Sequence, residues 1–318
     1  MAKEDGHDAF DASWPSRIFE TADARRLEHA MSALLECGDA RVTRRFEAHA
    51  GVRLHTLEAG AGDSLVLLHG AGGGAANWFA LFAPLSKSFR VIAPDLPGFG
   101  FSPPVDVRPP LGSSMAGVLD RWLEARGERA VHLVGTSLGG LIALRMAQRS
   151  PGRVRSVTLI DAAGLGADLP LLVRMGTLPG CARFVRQTSR AGMAFFLRRY
   201  LTSSPMPRER WEALLEFLHA ASAAGGGETL ARHLRRFATL RGQSEVLGRD
   251  TLRSLVVPML VLWGENDRFL PLRHARQAAN AVPHAMLRVV PGAGHSPNWE
   301  EPAEVAAAIF EFVVAHGE

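Results

Sequence analysis

Ser137 lies in the sequence Gly135-Thr136-Ser137-Leu138-Gly139, between a short apolar run and a segment with helical spacing. A serine at a sharp strand-to-helix turn presents its hydroxyl for attack on a carbonyl carbon, and the flanking glycines leave room for the strained backbone of that turn. The hydroxyl is a weak nucleophile unless a base takes its proton. The pattern therefore predicts nucleophilic catalysis, with a histidine and an acid supplied from elsewhere in the chain.

Two later loops contain suitable groups. His295 lies in PGAGHSPNWEEP, after the last apolar run, and Asp267 lies in LWGENDRFLP, after the run before it. The order serine, acid, histidine along the chain is the one expected where a strand, turn and helix present the serine in this way. We predict Ser137 as nucleophile, His295 as base and Asp267 as the acid, with Asp161, which also follows an apolar run, as the alternative acid.

The loop HGAGGGAANW, residues 69–78, allows two interpretations. Gly70, Gly72 and Ala75 fit the glycine spacing of a dinucleotide-binding turn, and Asp95, 20 residues beyond Ala75, stands where such a site needs its ribose-binding acid. The same loop could instead supply backbone N–H groups to an oxyanion. We favour the oxyanion hole, because the dinucleotide site would leave the three predicted catalytic groups unexplained.

The elements that position these residues follow from the apolar pattern. A helix over 20–37 and a hairpin of strands at 42–50 and 52–59 precede a series of strand-like runs that alternate with helical patterns. The runs lie at 64–69, 89–95, 130–136, 154–161, 257–265 and 285–294. Because they are apolar on both faces, the pattern predicts an α/β fold with a mostly parallel sheet covered by helices on both sides.

After Asp161 the alternation stops, and about 90 residues show helical patterning only, around 181–201, 205–223 and 228–240. This predicts a helical cap inserted into the fold. The predicted organisation is an N-terminal helical extension (1–40), a core (41–163 and 255–318) and the cap (164–254).

The motifs HG-x-G, D-x-P-G-x-G, G-x-S-x-G-G, G-x-x-D and G-H-x-P-x-x-E extend from about Arg44 to the C-terminus. Through them the sequence resembles the α/β-hydrolase fold superfamily, and within it the lipase-like serine esterases with a helical cap. The resemblance implies that the backbone N–H groups of Ala71 and Leu138 form the oxyanion hole. We further expect Asp95 to brace the turn at 97–100 and His69 to lie beneath the oxyanion loop.

The residue at the nucleophile position narrows the reaction. Dehalogenases and epoxide hydrolases of similar architecture have aspartate where this chain has Ser137, and epoxide opening uses a pair of cap tyrosines, whereas Tyr200 is the single tyrosine here. A serine with an oxyanion hole favours acyl transfer to water through an acyl-enzyme. The cap is rich in apolar residues, so we expect a small carboxylic ester with an apolar moiety as substrate.

Other activities stay open. Hydrolases that cleave C–C bonds in ring-fission products are similar in layout, have an arginine-bearing cap and resemble this chain at Trp299 and Glu300. Between Gly164 and Ser254 there are 14 arginines and 7 acidic residues, which suggests that the substrate also carries a carboxylate. Against this, Ser296 and Thr136 replace the usual tryptophan and a frequent asparagine. A thioesterase, a lactonase and a non-catalytic small-ligand receptor are further alternatives.

The composition excludes several classes. No H-E-x-x-H or Cys/His cluster is present, so no metal or other cofactor is predicted, and Cys37 and Cys181 give no disulfide framework. The arginines are not interleaved with aromatic residues, which argues against a nucleic-acid partner. No window reaches the ~18 apolar residues of a membrane span and no signal peptide is evident, so we expect a cytoplasmic protein. The oligomeric state and the role of residues 1–40 stay open.

Overall fold

An eight-stranded sheet carries the loops that contain the predicted site residues. The computed structural model describes residues 20–39, 41–178 and 180–316. The strand order is β1-β2-β4-β3-β5-β6-β9-β10; β2 pairs antiparallel with both neighbours, and all other pairs are parallel. The strands are β1 (Thr43–His49), β2 (Val52–Ala59), β3 (Ser64–Leu68), β4 (Arg90–Pro94), β5 (Val131–Thr136), β6 (Val154–Ile160), β7 (Ala238–Thr239), β8 (Gly242–Gln243), β9 (Met259–Gly264) and β10 (Ala285–Val290).

Helices cover both faces of the sheet. They are α1 (Ala22–Glu36), α2 (Phe79–Leu85), α3 (Leu111–Ala125), α4 (Leu138–Arg149), α5 (Leu171–Met175), α6 (Ala182–Arg186), α7 (Arg190–Phe196), α8 (Arg208–Ala221), α9 (Gly227–Phe237), α10 (Arg249–Arg253), α11 (Arg273–Ala281), α12 (Pro297–Glu300) and α13 (Pro302–Ala315). A 3₁₀ turn, Ala75–Trp78, precedes α2, a one-turn π-helix follows α7, and a kink at Gly225 (φ 112°) separates α8 from α9.

The predicted mostly parallel sheet, with helices on both faces and an inserted helical region, is confirmed. All six predicted runs contain a strand, and every residue of the central β3 and β5 is buried, which is why their sequences are continuously apolar. The predicted hairpin turns at Ala50 (φ 49°) and Gly51 (φ 73°). Both residues have the positive φ that a two-residue hairpin turn requires, and this fixes the pairing of β1 with β2.

The inserted region between β6 and β9, which we call the cap (164–254), differs in detail from its prediction. The helical pattern at 181–201 is divided between α6 and α7, because the Ser189 side chain accepts the Gly192 N–H (3.1 Å) and so begins a new helix. The cap also contains a short hairpin, β7 paired with β8, which the sequence did not indicate. Strands of two residues are too short to show the alternation of apolar and polar residues by which a strand is predicted.

The N-terminal helix α1 packs against cap helix α8. Leu27, Met31 and Leu34 are buried in a cluster that also contains Leu214 and Leu218 of α8. At the edge of this contact Arg26 donates to the Glu216 carboxylate (2.8 Å). The described part of the predicted extension therefore supports the cap. No described helix is long and apolar enough to cross a membrane.

Candidate active site

Ser137 occupies the turn between β5 and α4 with a strained backbone, φ 51° and ψ −116°. Glycine is required on both sides: a Cβ on Gly139 would lie 2.0 Å from the Leu68 carbonyl oxygen, and one on Gly135 would lie 2.3 Å from the Gly139 oxygen. The Ser137 N–H donates to the Ile160 oxygen of the neighbouring strand (3.0 Å). The sharp turn predicted from G-x-S-x-G is therefore present, and it exposes Ser137 to a cavity.

Asp267 and His295 meet in the loops after β9 and β10. His295 Nδ1 donates to Asp267 Oδ2 at 2.8 Å, and both side chains are buried. The other carboxylate oxygen accepts the N–H groups of Phe269 (2.7 Å) and Leu270 (2.8 Å), which fix its orientation. With Nδ1 directed at the carboxylate, Nε2 is the ring nitrogen left to accept a proton. His295 lines the same cavity as Ser137.

Asp161, the alternative acid, lies at the end of β6 beside this pair. It is fully buried with φ 43°, and its Oδ1 accepts the Gly264 N–H (3.0 Å). Burial, reinforced by the neighbouring Asp267 carboxylate, raises the pKa of Asp161 well above its usual range. Of the two carboxylates, Asp267 is the one that accepts the hydrogen bond from the imidazole.

The same three side chains are the group with metal-ligand spacing among the residues the structure describes. One potential ligand atom from each of Asp161, Asp267 and His295 lies within 4.8 Å of the other two. Asp267 already accepts two backbone N–H groups and the imidazole N–H. A divalent ion here would have to compete with the hydrogen bond that orients His295.

The loop after β3 passes next to Ser137. A Cβ on Gly70 would lie 3.3 Å from the Ser137 Cβ, and Ala71 and Leu138 line one small cavity together with Ser137. Ala71 and Leu138, whose N–H groups we predict as oxyanion donors, therefore lie beside the serine.

His69 supports this loop from below, as expected. It is fully buried between the Leu96 N–H, which donates to Nε2 (2.8 Å), and the Gly70 oxygen, which accepts from Nδ1 (2.7 Å). Burial lowers the pKa of His69 against the opposing influence of Asp95, so the ring is neutral at pH 7. Both nitrogens are occupied, which gives His69 a role in positioning.

Asp95 stabilises the two loops at residues 70–75 and 96–101 through hydrogen bonds. Its carboxylate accepts the N–H groups of Ala75 (2.6 Å) and Phe101 (2.9 Å) and a hydrogen bond from His55 Nδ1 (2.7 Å). Burial opposes its ionisation, but the adjacent His55 and the Ala75 N–H more than offset this and lower the pKa of Asp95. Because the carboxylate is buried and bound to backbone, it braces the turn at 97–100 and does not face a cleft where a ribose could bind.

A cavity of about 560 Å³ opens between the cap and the sheet. Ser137, His295 and Asn77 lie at its base, and cap residues such as Met193, Phe196 and Leu218 line its walls. Among the described residues, no arginine, lysine, aspartate or glutamate lines it. The arginine excess counted in the cap sequence is therefore not directed at the candidate site.

A second cavity of about 60 Å³ adjoins Ser137 and contains His233, which sequence analysis did not single out. The His233 side chain lies on α9 against the Phe99 ring (centroids 5.6 Å apart), and its Nδ1 is buried without a hydrogen-bond partner. Burial, together with nearby Arg236 and Arg232, lowers the pKa of His233 to about 4. No motif surrounds it, so the sequence held no signal of its position.

Glu300 connects the cap to the histidine loop. Its carboxylate accepts the N–H groups of Ser203 and Ser204 (2.6 Å each) from the cap and of Gly294 (2.9 Å) from the residue before His295. The neighbouring Trp299 donates from Nε1 to the Asn77 oxygen (2.9 Å), at the turn after the oxyanion loop. Glu300, the final residue of the G-H-x-P-x-x-E motif, therefore positions the loop that contains His295.

The chain is similar to several known proteins. The family model described as alpha/beta hydrolase fold matches residues 63–302. The chain is 29% identical over 264 residues to 2-hydroxy-6-oxo-6-phenylhexa-2,4-dienoate hydrolase of Burkholderia cepacia (78% of this chain, 86% of the relative). It is 31% identical over 272 residues to 2-hydroxymuconate semialdehyde hydrolase of Pseudomonas sp. strain CF600 (83% and 91%).

Among solved structures, that of a membrane phospholipase A described as a bacterial virulence factor superposes with a TM-score of 0.75. It covers 96% of this chain and 95% of the other, at 24% identity. A likeness at this level of identity concerns the fold.

Proposed function

The chain belongs to the α/β-hydrolase family, and from this premise we propose that it hydrolyses a carboxylic ester with an apolar moiety through an acyl-enzyme on Ser137. In the first step His295 Nε2 takes the Oγ proton while Oγ attacks the ester carbonyl carbon, and Asp267 stabilises the imidazolium that forms. His295 then gives the proton to the departing alcohol. Water, deprotonated by His295, attacks the acyl carbon and releases the acid and the free serine.

The oxyanion of each tetrahedral intermediate is assigned to the N–H groups of Ala71 and Leu138. Both residues line the small cavity beside Ser137. One such donor contributes about 3 kcal/mol to transition-state stabilisation in comparable sites. The tight turn at Ser137 fixes the backbone of Leu138 before substrate binds. The buried His69, which bonds to the Gly70 oxygen, does the same for the loop that contains Ala71.

The observation that carries the proposal is the absence of charged side chains from the described lining of both cavities. A carboxylate placed in such a cavity loses its hydration without gaining an ionic partner, which is strongly unfavourable. An uncharged ester with an apolar group suffers no such penalty. The site therefore favours a neutral substrate over an anionic one.

The sizes of the two cavities suggest the shape of the ester. The larger, about 560 Å³, is in the range that accommodates drug-sized ligands, and the smaller, about 60 Å³, has room for a group of only a few atoms. Ser137 lies where they meet. We infer a substrate with one bulky apolar side and one small side about the scissile bond.

Cleavage of a C–C bond is the second candidate, and the two sequence relatives favour it. The first relative is named for a dienoate, a substrate that carries a carboxylate. This chain offers no arginine or lysine to such a group among the described cavity residues. The Ser137 machinery serves either reaction, so the distinction depends on substrate binding.

The test is a comparison of kcat/KM for p-nitrophenyl esters from acetate to dodecanoate with that for 2-hydroxy-6-oxo-6-phenylhexa-2,4-dienoate. We expect ester turnover that rises with chain length beyond acetate, and dienoate turnover at least about a hundredfold lower. Ser137→Ala is the control, and it should abolish turnover while the protein stays folded. Dienoate turnover that matches or exceeds ester turnover would reject the ester assignment in favour of C–C hydrolysis.

A further inference from the structure

Large apolar side chains surround the entrance of the 560 Å³ cavity and are exposed to solvent. Phe184 is 65% exposed and Phe195 60%, and Leu172 and Met175 are nearly half exposed, yet all four also line the cavity. Leu171, next to Leu172, is 61% exposed. These five side chains, which we call the rim, lie on α5, α6 and α7. Solvent-exposed apolar groups gathered around one opening mark an interaction surface.

The charge of the same stretch has a single sign. Residues 169–207 contain six arginines and no lysine, aspartate or glutamate. Arg186 and Arg190 form ion pairs with acidic residues of neighbouring cap helices, Glu228 for the first and Glu212 and Glu216 for the second. The excess positive charge of the stretch therefore rests on the other four arginines.

These four, the rim arginines, are Arg174, Arg183, Arg198 and Arg199. In the part of the chain that the structure describes, none of them has an ion pair. Three lie over aromatic rings: Arg183 over Phe184 (4.8 Å to the ring centroid), Arg198 over Trp211 (4.7 Å) and Arg199 over Tyr200 (4.9 Å). These three side chains are exposed, so their guanidinium groups remain available to an anion, whereas Arg174 is half-buried and donates to the Leu240 oxygen (3.3 Å).

We propose that the rim and the rim arginines dock on an anionic lipid surface, from which the cavity receives its apolar substrate. Exposed Phe, Leu and Met side chains with interspersed arginines are the composition that inserts at the boundary of lipid headgroups and acyl chains. The arginines then face lipid phosphates and carboxylates. The proposed attachment is peripheral, since it uses side chains on the surface of the cap.

The position of the cavity favours a lipid surface over a protein partner. The rim borders the cavity of about 560 Å³, so a folded partner docked on the rim would leave this apolar space empty beneath its contact. A lipid layer can fill this space, because individual lipid or ester molecules can leave the layer and enter the cavity. The same contact would shorten the path of a poorly soluble ester from the layer to Ser137.

The binding assay is sedimentation with vesicles, one set of phosphatidylcholine and one in which about a third of the lipid is phosphatidylglycerol. All variants carry Ser137→Ala, so that binding is measured without turnover. We expect the protein to partition at least about tenfold more strongly onto the anionic vesicles. Arg183→Gln with Arg199→Gln should weaken that partitioning about thirtyfold, which is the contribution of two arginines at an anionic surface.

The apolar part is tested by Phe184→Ser with Phe195→Ser, which should weaken partitioning about tenfold or more. The matched control is Phe310→Ser with Arg276→Gln, an exposed phenylalanine and arginine outside the cap, and it should bind as the parent does. Equal binding to both vesicle types, no binding at all, or equal losses in rim and control variants would each overturn the proposal.

The substrate named here rests on the proposed ester hydrolysis, but the docking does not. Vesicle binding by a protein that turns over no ester would leave the docking surface standing and reject the hydrolysis. Ester turnover in lipid-free solution without vesicle binding would do the reverse.

Discussion

Replacing His233 should make the free energy of unfolding less sensitive to acid. The folded-state pKa of about 4 lies below the ~6.5 of an unperturbed histidine in the unfolded chain. Between these values the unfolded chain binds a proton that the folded protein does not, so the free energy of unfolding falls as the pH falls. The stabilising contribution of neutral His233 is complete above about pH 6.5 and is lost by about pH 4. At pH 5 the loss amounts to about 2 kcal/mol.

The measurement is urea unfolding of wild type and His233→Leu at pH 7.5 and at pH 5. The other titrating groups are common to both proteins, so the wild type should lose about 2 kcal/mol more than the variant over this interval, whatever the stability of the variant at pH 7.5. His29→Gln, at an exposed position on α1, is the control and should follow the wild type. Parallel losses in wild type and His233→Leu would show that the ring is not buried in its neutral form, and would refute the cavity geometry derived above.

Substitutions of Asp267, Asp161 and Glu300 test the other assigned roles. Asp267→Asn should lower kcat by about 10⁴, since an amide favours the wrong imidazole tautomer. Asp161→Asn should lower kcat by no more than about tenfold, since an amide can still accept the Gly264 N–H. If Asp161→Asn lowers kcat more than Asp267→Asn does, the acid is misassigned. Glu300→Gln places an NH₂ against one of three backbone donors and should cost about 1–3 kcal/mol of stability and lower kcat. Glu301→Gln is its control in urea unfolding and ester turnover; equal effects of the two would remove the positioning role of Glu300.

The sequence was sufficient for the sheet and the serine turn, for a physical reason. Strands buried on both faces read as continuous apolar runs, and the close approach of Gly139 to Leu68 permits no other residue, so both features leave a local pattern. The positions of His69 and Asp95 were also predictable from the sequence. Each bonds to backbone of the loops that contain the HG-x-G and D-x-P-G-x-G motifs.

The sequence favoured Asp267 as the acid but left Asp161 open as an alternative. Asp161 and Asp267 both follow strands that are neighbours in the sheet, and both carboxylates reach the vicinity of His295. Only the three-dimensional arrangement shows that the imidazole N–H is directed at Asp267. The orientation of the imidazole relative to the two carboxylates is therefore a property of packing, which the sequence pattern does not show.

The cap shows a different limit. Counting residues revealed its arginine excess and suggested an anionic substrate, but a count does not say where side chains point. Among the described residues the cavity lining contains none of these arginines, and several of them lie on the surface around its entrance. These arginines therefore fit the proposed docking on a lipid surface better than the binding of an anionic substrate in the cavity.

The nucleophilic role of Ser137 is tested most directly with a fluorophosphonate probe, followed by intact mass and peptide mapping. We predict one adduct per chain, located on Ser137, absent from Ser137→Ala and strongly slowed in Asp267→Asn. Folded protein that does not react, or that reacts at another residue, would contradict the account and favour a ligand-binding protein built on the same fold.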